Sequence, residues 1–195
     1  MIAQIPITTL MFADDICVPV ISWNQIGYAL QILQTWESLS GIGPNFSKTR
    51  IMAFSTAAPD KYRFGNWDIS ITNEHAYLGI GISFESRIIF QPHLDAILGR
   101  ARRAQGLILQ RLRVLCITDP KIAYNLFKTY VLGSVGYAFP IWGPFLTKTQ
   151  WHQLEKVQTQ FFRQILCLPG HTLLGILYAE MGALPLEFYL WRQSM

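Results

Sequence analysis

Charged residues are scarce in this 195-residue chain, where they make up 14% of the sequence, against about 25% in an average soluble domain. Cysteine is also rare, because the chain has three, Cys17, Cys116 and Cys167, and no two of them form a C-x-x-C pair. Scattered thiols of this kind exclude a zinc ribbon or a disulfide framework. They indicate small apolar fillers in a reducing compartment.

Targeting signals and long uninterrupted apolar runs are missing too. The first residues carry no positively charged segment and no cleavage-site pattern, which argues against a signal peptide. Asp14 and Asp15 interrupt the longest apolar stretch, and each acid would cost about 3 kcal/mol at the centre of a spanning helix. We therefore expect a soluble intracellular protein, nuclear or cytoplasmic, that is neither secreted nor bound to a membrane.

Hydrophobic residues are plentiful, at 51% of the chain, and include six Trp, eight Tyr and twelve Phe. A chain of this length and apolar content can bury a real core and is not disordered. So apolar a sequence either hides much of its surface against a partner or has lost a neighbouring domain, and we favour the second interpretation.

The charges that are present are distributed unevenly. Residues 1–86 contain four Lys/Arg and seven acids, a net charge of −3, whereas residues 87–195 contain twelve Lys/Arg and five acids, a net charge of +7. A phosphate backbone is the commonest partner of a basic face. The alternative, an ordinary solvated helical surface, stays open on charge alone.

The start of the chain has the pattern of a hairpin followed by a helix. Apolar, β-branched runs at 7–12 and 16–21 surround a short polar segment, which favours a β-hairpin. Apolar residues then recur at helical spacing over 26–39, between a polar cap segment that starts at Ser22 and a stop at Gly41.

The remaining pattern changes from strands to helices. Strands are predicted at 50–55, 67–72 and 76–82, the last two as an antiparallel pair, with a loop at 57–65. Helical segments are predicted at 91–115, 119–138, 147–167 and 172–191, separated by prolines and glycine. The sequence therefore predicts an α+β fold, with a first domain over 1–87 and an all-helical domain over 88–195.

Two adjacent carboxylates, Asp14 and Asp15, lie between the apolar runs of the predicted hairpin. Like charges side by side repel, and a carboxylate removed from water needs compensation. A divalent cation resolves both problems, and Mg²⁺ combines few carboxylates with substrate phosphates. Because aspartate also favours ordinary turns, a plain aspartate-rich turn remains the alternative.

Phe12-Ala13-Asp14-Asp15 resembles the F-A-D-D motif C of reverse transcriptases from LINE-type (non-long-terminal-repeat) retrotransposons. Further matches follow in the family's order. Segment 41–49 resembles motif D, and Tyr77-Leu78-Gly79 resembles the start of motif E, the primer grip. Segments 134–142 and 154–169 are similar to the Y-x-x-x-x-W and later parts of the family's thumb. The resemblance covers nearly the whole chain and implies a partial polymerase palm followed by a helical thumb.

What the resemblance implies is RNA-templated DNA synthesis from deoxynucleoside triphosphates by a two-metal mechanism. Asp14 matches the aspartate that helps to hold Mg²⁺ near the primer end, and Asp15 lies close by with a weaker role. Lys48 matches the motif D lysine, a candidate proton donor to the leaving pyrophosphate. The segment from Tyr77 to Gly79 would support the 3′ end of the primer. An RNA template and a DNA primer are therefore the implied partners.

Each of these assignments has a structural alternative. A lone lysine is more often a solvated surface residue, and an aromatic residue beside a glycine in a strand is often there for packing.

Arginines are concentrated in the first predicted helix of the basic half, where no acid lies between Asp95 and Asp119. A polymerase thumb grips the backbone of template and primer, and phosphate contacts need cations without base selectivity. The candidate nucleic-acid-binding residues are Arg100, Arg102, Arg103, Arg111 and Arg113.

One part of the family's active site has no match in this sequence. Motif A, which supplies another metal-binding aspartate, precedes motif C in the family, and here the first acid is Asp14 itself. With one carboxylate cluster we expect weak binding of metal ions in an incomplete geometry. Losing such an electrostatic element reduces rates by orders of magnitude, so we expect no polymerisation by this chain alone.

Three interpretations follow. In the first, the chain is a truncated retroelement product that is inactive by itself. In the second, it is a polymerase fragment that works when an upstream fingers-and-palm part is supplied. In the third, it is a non-catalytic RNA- or DNA-binding or interaction protein derived from the thumb.

Overall fold

The computed structural model describes residues 9–54, 60–84 and 89–194. They divide into two compact units, one ending at Leu78 and the other beginning at Gly79, earlier in the chain than the predicted boundary after residue 87. Short strands and one helix form the first unit, and helices dominate the second. The predicted α+β class is therefore confirmed. Within the described residues, no helix is both long and apolar enough to cross a membrane.

In its described residues, 9–54 and 60–78, the first unit contains six short strands and one long helix. In chain order they are β1 (Leu10–Phe12), β2 (Asp15–Cys17), α1 (Trp23–Ser40), β3 (Arg50–Met52), β4 (Lys61–Phe64), β5 (Trp67–Thr72) and β6 (Glu74–Tyr77).

Helix α1 begins and ends where its cap residues require. The Ser22 side chain accepts a hydrogen bond from the Gln25 N–H, which satisfies one of the free amides of the first turn. Gly41 adopts a φ of 71°, and its N–H donates to the Glu37 carbonyl, a common way to end a helix at a glycine. The predicted helix is confirmed together with its caps.

A small sheet packs against one side of α1. Strand β5 lies at its centre, antiparallel to β4 and parallel to β3. Three residues are buried together and form the core of this unit: Leu30 of α1, Phe46 of the segment between α1 and β3, and Ile69 of β5. Apolar residues also lie on the opposite side of the helix, at positions three or four apart, but they are exposed. They are Tyr28, Ile32, Trp36 and Leu39.

The predicted strand pairing was wrong in two respects. Segment 67–72 pairs with β3 and β4 instead of with 76–82, and β4 lies inside the predicted loop at 57–65. Gly65 (φ 56°) and Asn66 form a two-residue turn that returns the chain from β4 into β5. Segment 76–82 is also divided, because the backbone turns at 78–79.

The second unit contains one strand and seven helices among the described residues. They are β7 (Ile80–Ser83), α2 (Gln91–Val114), α3 (Pro120–Phe127), a π-helical turn (Lys128–Leu132), α4 (Gly133–Val135), α5 (Phe139–Trp142), a 3₁₀ turn (Gly143–Phe145), α6 (Lys148–Ile165), α7 (Leu174–Met181) and α8 (Leu186–Ser194). The predicted helical segment 172–191 is interrupted where Gly182 (φ 55°) ends α7, and α8 starts after Pro185.

Helices α2 and α6 run side by side in the same direction. Gln150 Nε2 donates to Gln91 Oε1 at 2.7 Å, and Gln105 Nε2 donates to Gln164 Oε1 at 3.5 Å. Both pairs are separated by 59 residues in sequence, so the register is constant and the helices are parallel. Along α2, buried residues recur at alternating spacings of four and three residues, which is the pattern of a coiled-coil seam. They are Leu94, Leu98, Ala101, Gln105, Ile108 and Leu112.

Aromatic rings fill the core of the second unit. Phe127 stacks on Phe161 with centroids 4.6 Å apart, and Phe139 meets Trp142 edge to face at 5.2 Å. All four side chains are at most 1% exposed. Truncating a ring of this kind to alanine typically removes about 3–5 kcal/mol of stability, so this cluster accounts for a large part of the stability of the unit.

Strand β7 lies close against the start of α2. A Cβ atom built on Gly81 would lie 3.0 Å from the backbone nitrogen of His93 and 3.3 Å from its Cα. Backbone atoms in a helix move aside less readily than a flexible side chain, so this contact favours glycine.

We expect Gly81→Ala to lower the free energy of unfolding by about 1–3 kcal/mol, the range for forcing an extra methyl into a packed site. Urea denaturation followed by circular dichroism measures this change. Gly133→Ala is the control, because a Cβ there meets nothing within 4 Å. A loss for Gly81→Ala no larger than the loss for Gly133→Ala would contradict the close approach.

Candidate functional site

The two adjacent carboxylates belong to a hairpin, as predicted. Strands β1 and β2 are antiparallel, and Phe12 is paired with Asp15. Ala13 and Asp14 therefore form a two-residue turn, in which Ala13 has a φ of 51°. Asp14 lies in the turn and Asp15 in the strand, so the two carboxylates do not occupy equivalent positions.

The hairpin is apolar and yet open to solvent. Phe12 is 65% exposed and Met11 is 72% exposed, and within the described part of the chain β1 pairs with β2 and no other strand. Asp14 and Asp15 are exposed as well. Unpaired strand edges with apolar side chains are a surface on which further strands can add.

Two carboxylates are fewer ligands than a two-metal centre requires. Among residues 9–54, 60–84 and 89–194 there is no group of three or more His, Cys, Asp or Glu side chains arranged to hold a metal ion. The donor chemistry of Asp14 and Asp15 suits Mg²⁺, but these two residues alone do not fit the complete catalytic centre that the resemblance implies.

Lys48 lies in a turn that leads from α1 into β3. Its N–H donates to the Asn45 carbonyl at 2.9 Å, and the Asn45 side chain accepts from Ser47. The neighbouring Phe46 is buried and stacks on Trp67 with centroids 5.2 Å apart. This aromatic contact, which the sequence did not reveal, fixes the turn on the sheet and leaves the Lys48 side chain exposed.

The described residues do not bring Lys48 into contact with the hairpin carboxylates. The ion pair found in this part of the chain joins Lys61 to Asp68 at 3.9 Å, and both side chains are more than half exposed. The catalytic roles of Asp14, Asp15 and Lys48 therefore remain predictions.

The Tyr77-Leu78-Gly79 segment forms a tight turn. Leu78 has a φ of 48° and Gly79 a φ of 78°. A type I′ two-residue turn requires this pair of positive values, which glycine adopts most easily. In the second unit, a Cβ on Gly79 would touch the Tyr137 ring at 3.5 Å. The glycine of the predicted primer grip thus lies against the tyrosine of the Y-x-x-x-x-W segment.

The Y-x-x-x-x-W spacing has a clear structural reason. Trp142 Nε1 donates to the Tyr137 carbonyl at 2.9 Å, across a bend at Ala138, which has a φ of 51°. The indole is fully buried and meets the His93 imidazole edge to face at 5.2 Å. The tryptophan therefore both fills the core and holds the bend that places Tyr137.

Left-handed backbone at residues other than glycine is found at five of the described positions. Ala13, Leu78 and Ala138 fall inside the segments that resemble motif C, motif E and the Y-x-x-x-x-W part of the thumb, while Cys116 and Cys167 follow the ends of α2 and α6. Such conformations cost of order 1 kcal/mol or more and are concentrated at functional sites. The two cysteines have a simpler explanation, because a left-handed residue commonly ends a helix, and both of their thiols are exposed.

The sequence analysis missed His93, which contacts Gly81, the Gly79 backbone and Trp142. The side chain is 1% exposed, and the Gly81 N–H donates to its Nδ1 at 3.4 Å. Burial, and then the positive charge of Arg100, lower the pKa of His93, while a hydrogen bond with the Gly79 backbone opposes the shift. A neutral imidazole therefore joins β7, α2 and Trp142.

Polar side chains of α6 hold the helices that follow it. Gln158, fully buried, donates from Nε2 to the Leu184 carbonyl at 3.1 Å, and Arg163 Nη2 donates to the Thr172 carbonyl at 3.3 Å. Glu155 accepts a hydrogen bond from the backbone of Leu186, the first residue of α8. These polar side chains of α6 thus hold the chain before α7 and at the start of α8 in place by hydrogen bonds.

The five candidate arginines are all exposed, but they do not form one surface. Arg102 faces α6 and lines a groove with Lys156, whereas Arg100 lies close enough to His93 to influence its pKa. The two arginines therefore point toward different neighbours. Whether all five bind nucleic acid stays a prediction.

A curated protein from Caenorhabditis elegans, described as a putative uncharacterized transposon-derived protein, is 30% identical to this chain over 142 residues. The match covers 70% of this chain and 49% of that protein, so the chain spans about half the length of the curated relative it matches. No family profile matches the sequence, and no solved structure matches the fold.

The Glu155 carboxyl allows a test by pH. Burial raises its pKa above the ordinary value of 4.5, and the charge of Glu187 adds to the increase, against the opposing hydrogen bond from Leu186. The folded state thus binds the proton more tightly than the unfolded state. The resulting stabilisation is present below pH 4.5 and is lost as the pH rises through the pKa of the folded state.

We therefore expect the wild type to lose stability relative to Glu155→Gln as the pH rises from about 4.5 toward 7, because glutamine keeps the acceptor and removes the buried charge. Thermal unfolding of both proteins at several pH values measures the difference. Glu180→Gln, at an exposed position, serves as the control. A wild type that gains stability relative to Glu155→Gln over this range would contradict the assignment.

Proposed function

We propose that this chain is the palm-and-thumb portion of a reverse transcriptase from a LINE-type transposable element. The observation that carries the proposal is the exposed hairpin, in which the pairing of Phe12 with Asp15 puts Asp14 in a two-residue turn. A helix, a glycine-bounded turn containing Lys48 and the Leu78-Gly79 turn follow in the order of the family's motifs. The similarity to a transposon-derived protein supports an origin in a transposable element.

In this proposal the first unit contributes part of a polymerase active site. Asp14 and Asp15 would contribute carboxylate ligands to Mg²⁺, and the bound ion would supply charge stabilisation for a phosphoryl transfer. Since these two carboxylates do not fit the complete centre, further ligands have to come from a fingers-and-palm segment outside the described residues. The exposed apolar side chains of the hairpin and of α1 offer that segment a surface to pack against.

The chain's own residues then have positioning roles. Lys48 provides a cation beside the leaving pyrophosphate, and the turn at Leu78-Gly79 supports the 3′ end of the primer. Within the second unit, Tyr137 lies beside Gly79 and His93 accepts a hydrogen bond from the Gly81 N–H, so both stabilise the chain that directly follows Leu78. The helical unit binds the template–primer duplex through its exposed basic side chains.

Primer extension tests the polymerase assignment. We expect no extension of a DNA primer on an RNA template, with Mg²⁺ and deoxynucleoside triphosphates, by the chain alone. Addition of a fingers-and-palm fragment from a related polymerase should produce extension. In that mixture Asp14→Asn should lower the rate by roughly 100-fold or more, the scale for removing one electrostatic element of an active site.

Asp68→Asn is the matched control, because Asp68 is an exposed carboxylate in strand β5 of the same unit. The rate with this variant should equal the wild-type rate. Extension that survives Asp14→Asn would contradict the proposed active site.

A second candidate function is supported by the net charge of +7 over residues 87–195. In this alternative the chain is a non-catalytic RNA- or DNA-binding protein built from the helical unit. Binding would then be salt-dependent and insensitive to Asp14→Ala. Replacing Arg102 and Arg103 together by alanine should lower the slope of log affinity against log salt by about 1.8, since each lost phosphate contact contributes about 0.9.

Filter binding of a labelled RNA–DNA duplex over a range of salt concentrations measures this slope. Both candidate functions predict binding of the RNA–DNA duplex. They differ in whether addition of the fingers-and-palm fragment produces primer extension.

A further inference from the structure

Helix α2 carries a second row of regularly spaced residues on the side opposite its buried seam. Each member follows a seam residue by two positions, which is a rotation of about 200° around the helix. The row therefore repeats the alternating spacing of four and three residues and lies on one side of the helix. All of its members are exposed. This outer row consists of Ala96, Arg100, Arg103, Leu107, Gln110 and Val114.

Two large apolar side chains of the outer row lie in water. Leu107 is 62% exposed and Val114 is 66% exposed, and Leu115, which follows Val114 directly, is 63% exposed. A single exposed leucine on a protein surface needs no explanation. Three such side chains close together at one end of a helix provide an apolar surface that another protein can cover.

The arginines on this side of α2 have no counter-charge in the helix. Arg100, Arg103 and Arg111 are exposed, and none of them belongs to an ion pair among the described residues. A helix places a counter-charge three or four residues away, but no acid occurs between Asp95 and Asp119. The three cations are therefore available to carboxylates from outside the chain.

The combination of apolar and basic residues in one straight row restricts the kind of partner. A phosphate backbone would engage the arginines and leave Leu107 and Val114 without an apolar contact. A second copy of this chain would bring two basic faces together, and like charges across an interface oppose association. The row is about 27 Å long, and its spacing of four and three residues is the one that a facing helix matches. A helix with carboxylates beside an apolar side satisfies both kinds of residue.

We propose that the outer row of α2 binds an acidic amphipathic helix of a partner protein. Leu107 and Val114 pack against the apolar side chains of the partner helix, which removes both from water. Arg100, Arg103 and Arg111 form charge-assisted hydrogen bonds with its Asp and Glu side chains. The inference goes beyond the proposed function, because it assigns a protein partner to the helical unit and does not depend on DNA synthesis.

A synthetic helix serves as the probe for this surface. It has about three heptads, with leucine at the a and d positions and glutamate at e and g, where repulsion between glutamates prevents self-association. A matched peptide carries lysine in place of glutamate. Fluorescence anisotropy of each labelled peptide with the full chain measures Kd. We expect the glutamate peptide to bind at least roughly tenfold more tightly, with a difference that decreases as salt is added. Equal affinities, or no binding of the glutamate peptide, would overturn the inference.

The apolar part of the contact is tested by a double variant. Leu107→Ser plus Val114→Ser should weaken binding of the glutamate peptide by roughly tenfold or more, because two apolar side chains no longer leave water on binding. Ile122→Ser plus Ile176→Ser is the matched control, since these side chains in α3 and α7 are 44% and 47% exposed. The control should keep the wild-type affinity, and circular dichroism checks that both proteins are folded. Equal affinities of the two double variants would contradict a contact at the outer row.

The charged part is tested by single variants of α2. Arg103→Gln and Arg111→Gln should each weaken the glutamate peptide by roughly threefold, mainly through slower association. Arg113→Gln is the control, because Arg113 lies about three turns after Arg102 and therefore on the side of α2 that faces the groove. A loss in Arg113→Gln as large as in the other two variants would show nonspecific attraction to a basic protein and would refute the outer row as the site.

An RNA–DNA duplex as a second probe distinguishes this inference from the proposed function. A chain that binds the duplex and not the glutamate peptide would overturn the protein partner and leave the proposed function standing. Peptide binding that is lost in Leu107→Ser plus Val114→Ser, in a chain that yields no primer extension with the added fingers-and-palm fragment, would support the inference and count against the proposed function alone.

Discussion

The parallel contact between α2 and α6 is the interaction on which the second unit depends. Two amide pairs, Gln91 with Gln150 and Gln105 with Gln164, lie two heptads apart and hold apolar residues between them in a fixed register. A buried amide is costly when its partner is lost, so a shift of one helix along the other would leave the buried Gln105 and Gln150 side chains unpaired. The same register aligns the two walls of the groove, and it places the polar side of α6 toward the chain around α7 and α8. One register thus determines both how α2 and α6 pack and which of their side chains line the groove between them.

A second constraint concerns the turns that carry the motifs. Ala13, Leu78 and Ala138 are ordinary side chains in a backbone conformation that glycine would adopt more easily. The bend at Ala138 is maintained by the indole of Trp142, which donates to the preceding carbonyl while its ring is packed against His93. The cost of the strained backbone at Ala138 is therefore offset by the burial of the Trp142 ring. Such compensation is expected where the geometry of a turn matters more than the local preference of its residues.

Local signals predicted the parts of this fold that local interactions determine. Ser22 and Gly41 marked the ends of α1 because capping depends on neighbouring residues, and the prolines after residue 115 separated the helices for the same reason. The pairing of β5 was missed because the partner of a strand depends on a turn elsewhere, here at Gly65 and Asn66. The hairpin of the candidate site could be predicted from the sequence. The different positions of its two carboxylates could not, because the pairing register of β1 with β2 decides that Asp14 lies in the turn and Asp15 in the strand. His93 and Lys156 carried no signal, because their importance comes from neighbours that are distant in sequence.

The two cysteines that follow α2 and α6 make the seam accessible to spectroscopy. Cys116 and Cys167 are exposed and stand just beyond the ends of the two parallel helices, whereas Cys17 is only partly accessible in β2. In the register of 59 residues, the end of α2 at Val114 lies eight residues, or about 12 Å of helix, beyond the end of α6 at Ile165. The two thiols, each two residues past its helix, are staggered by about the same distance. Spin labels attached to these native thiols would therefore act as a molecular ruler for the sliding and separation of α2 and α6. The chain needs no engineered cysteine for such a measurement.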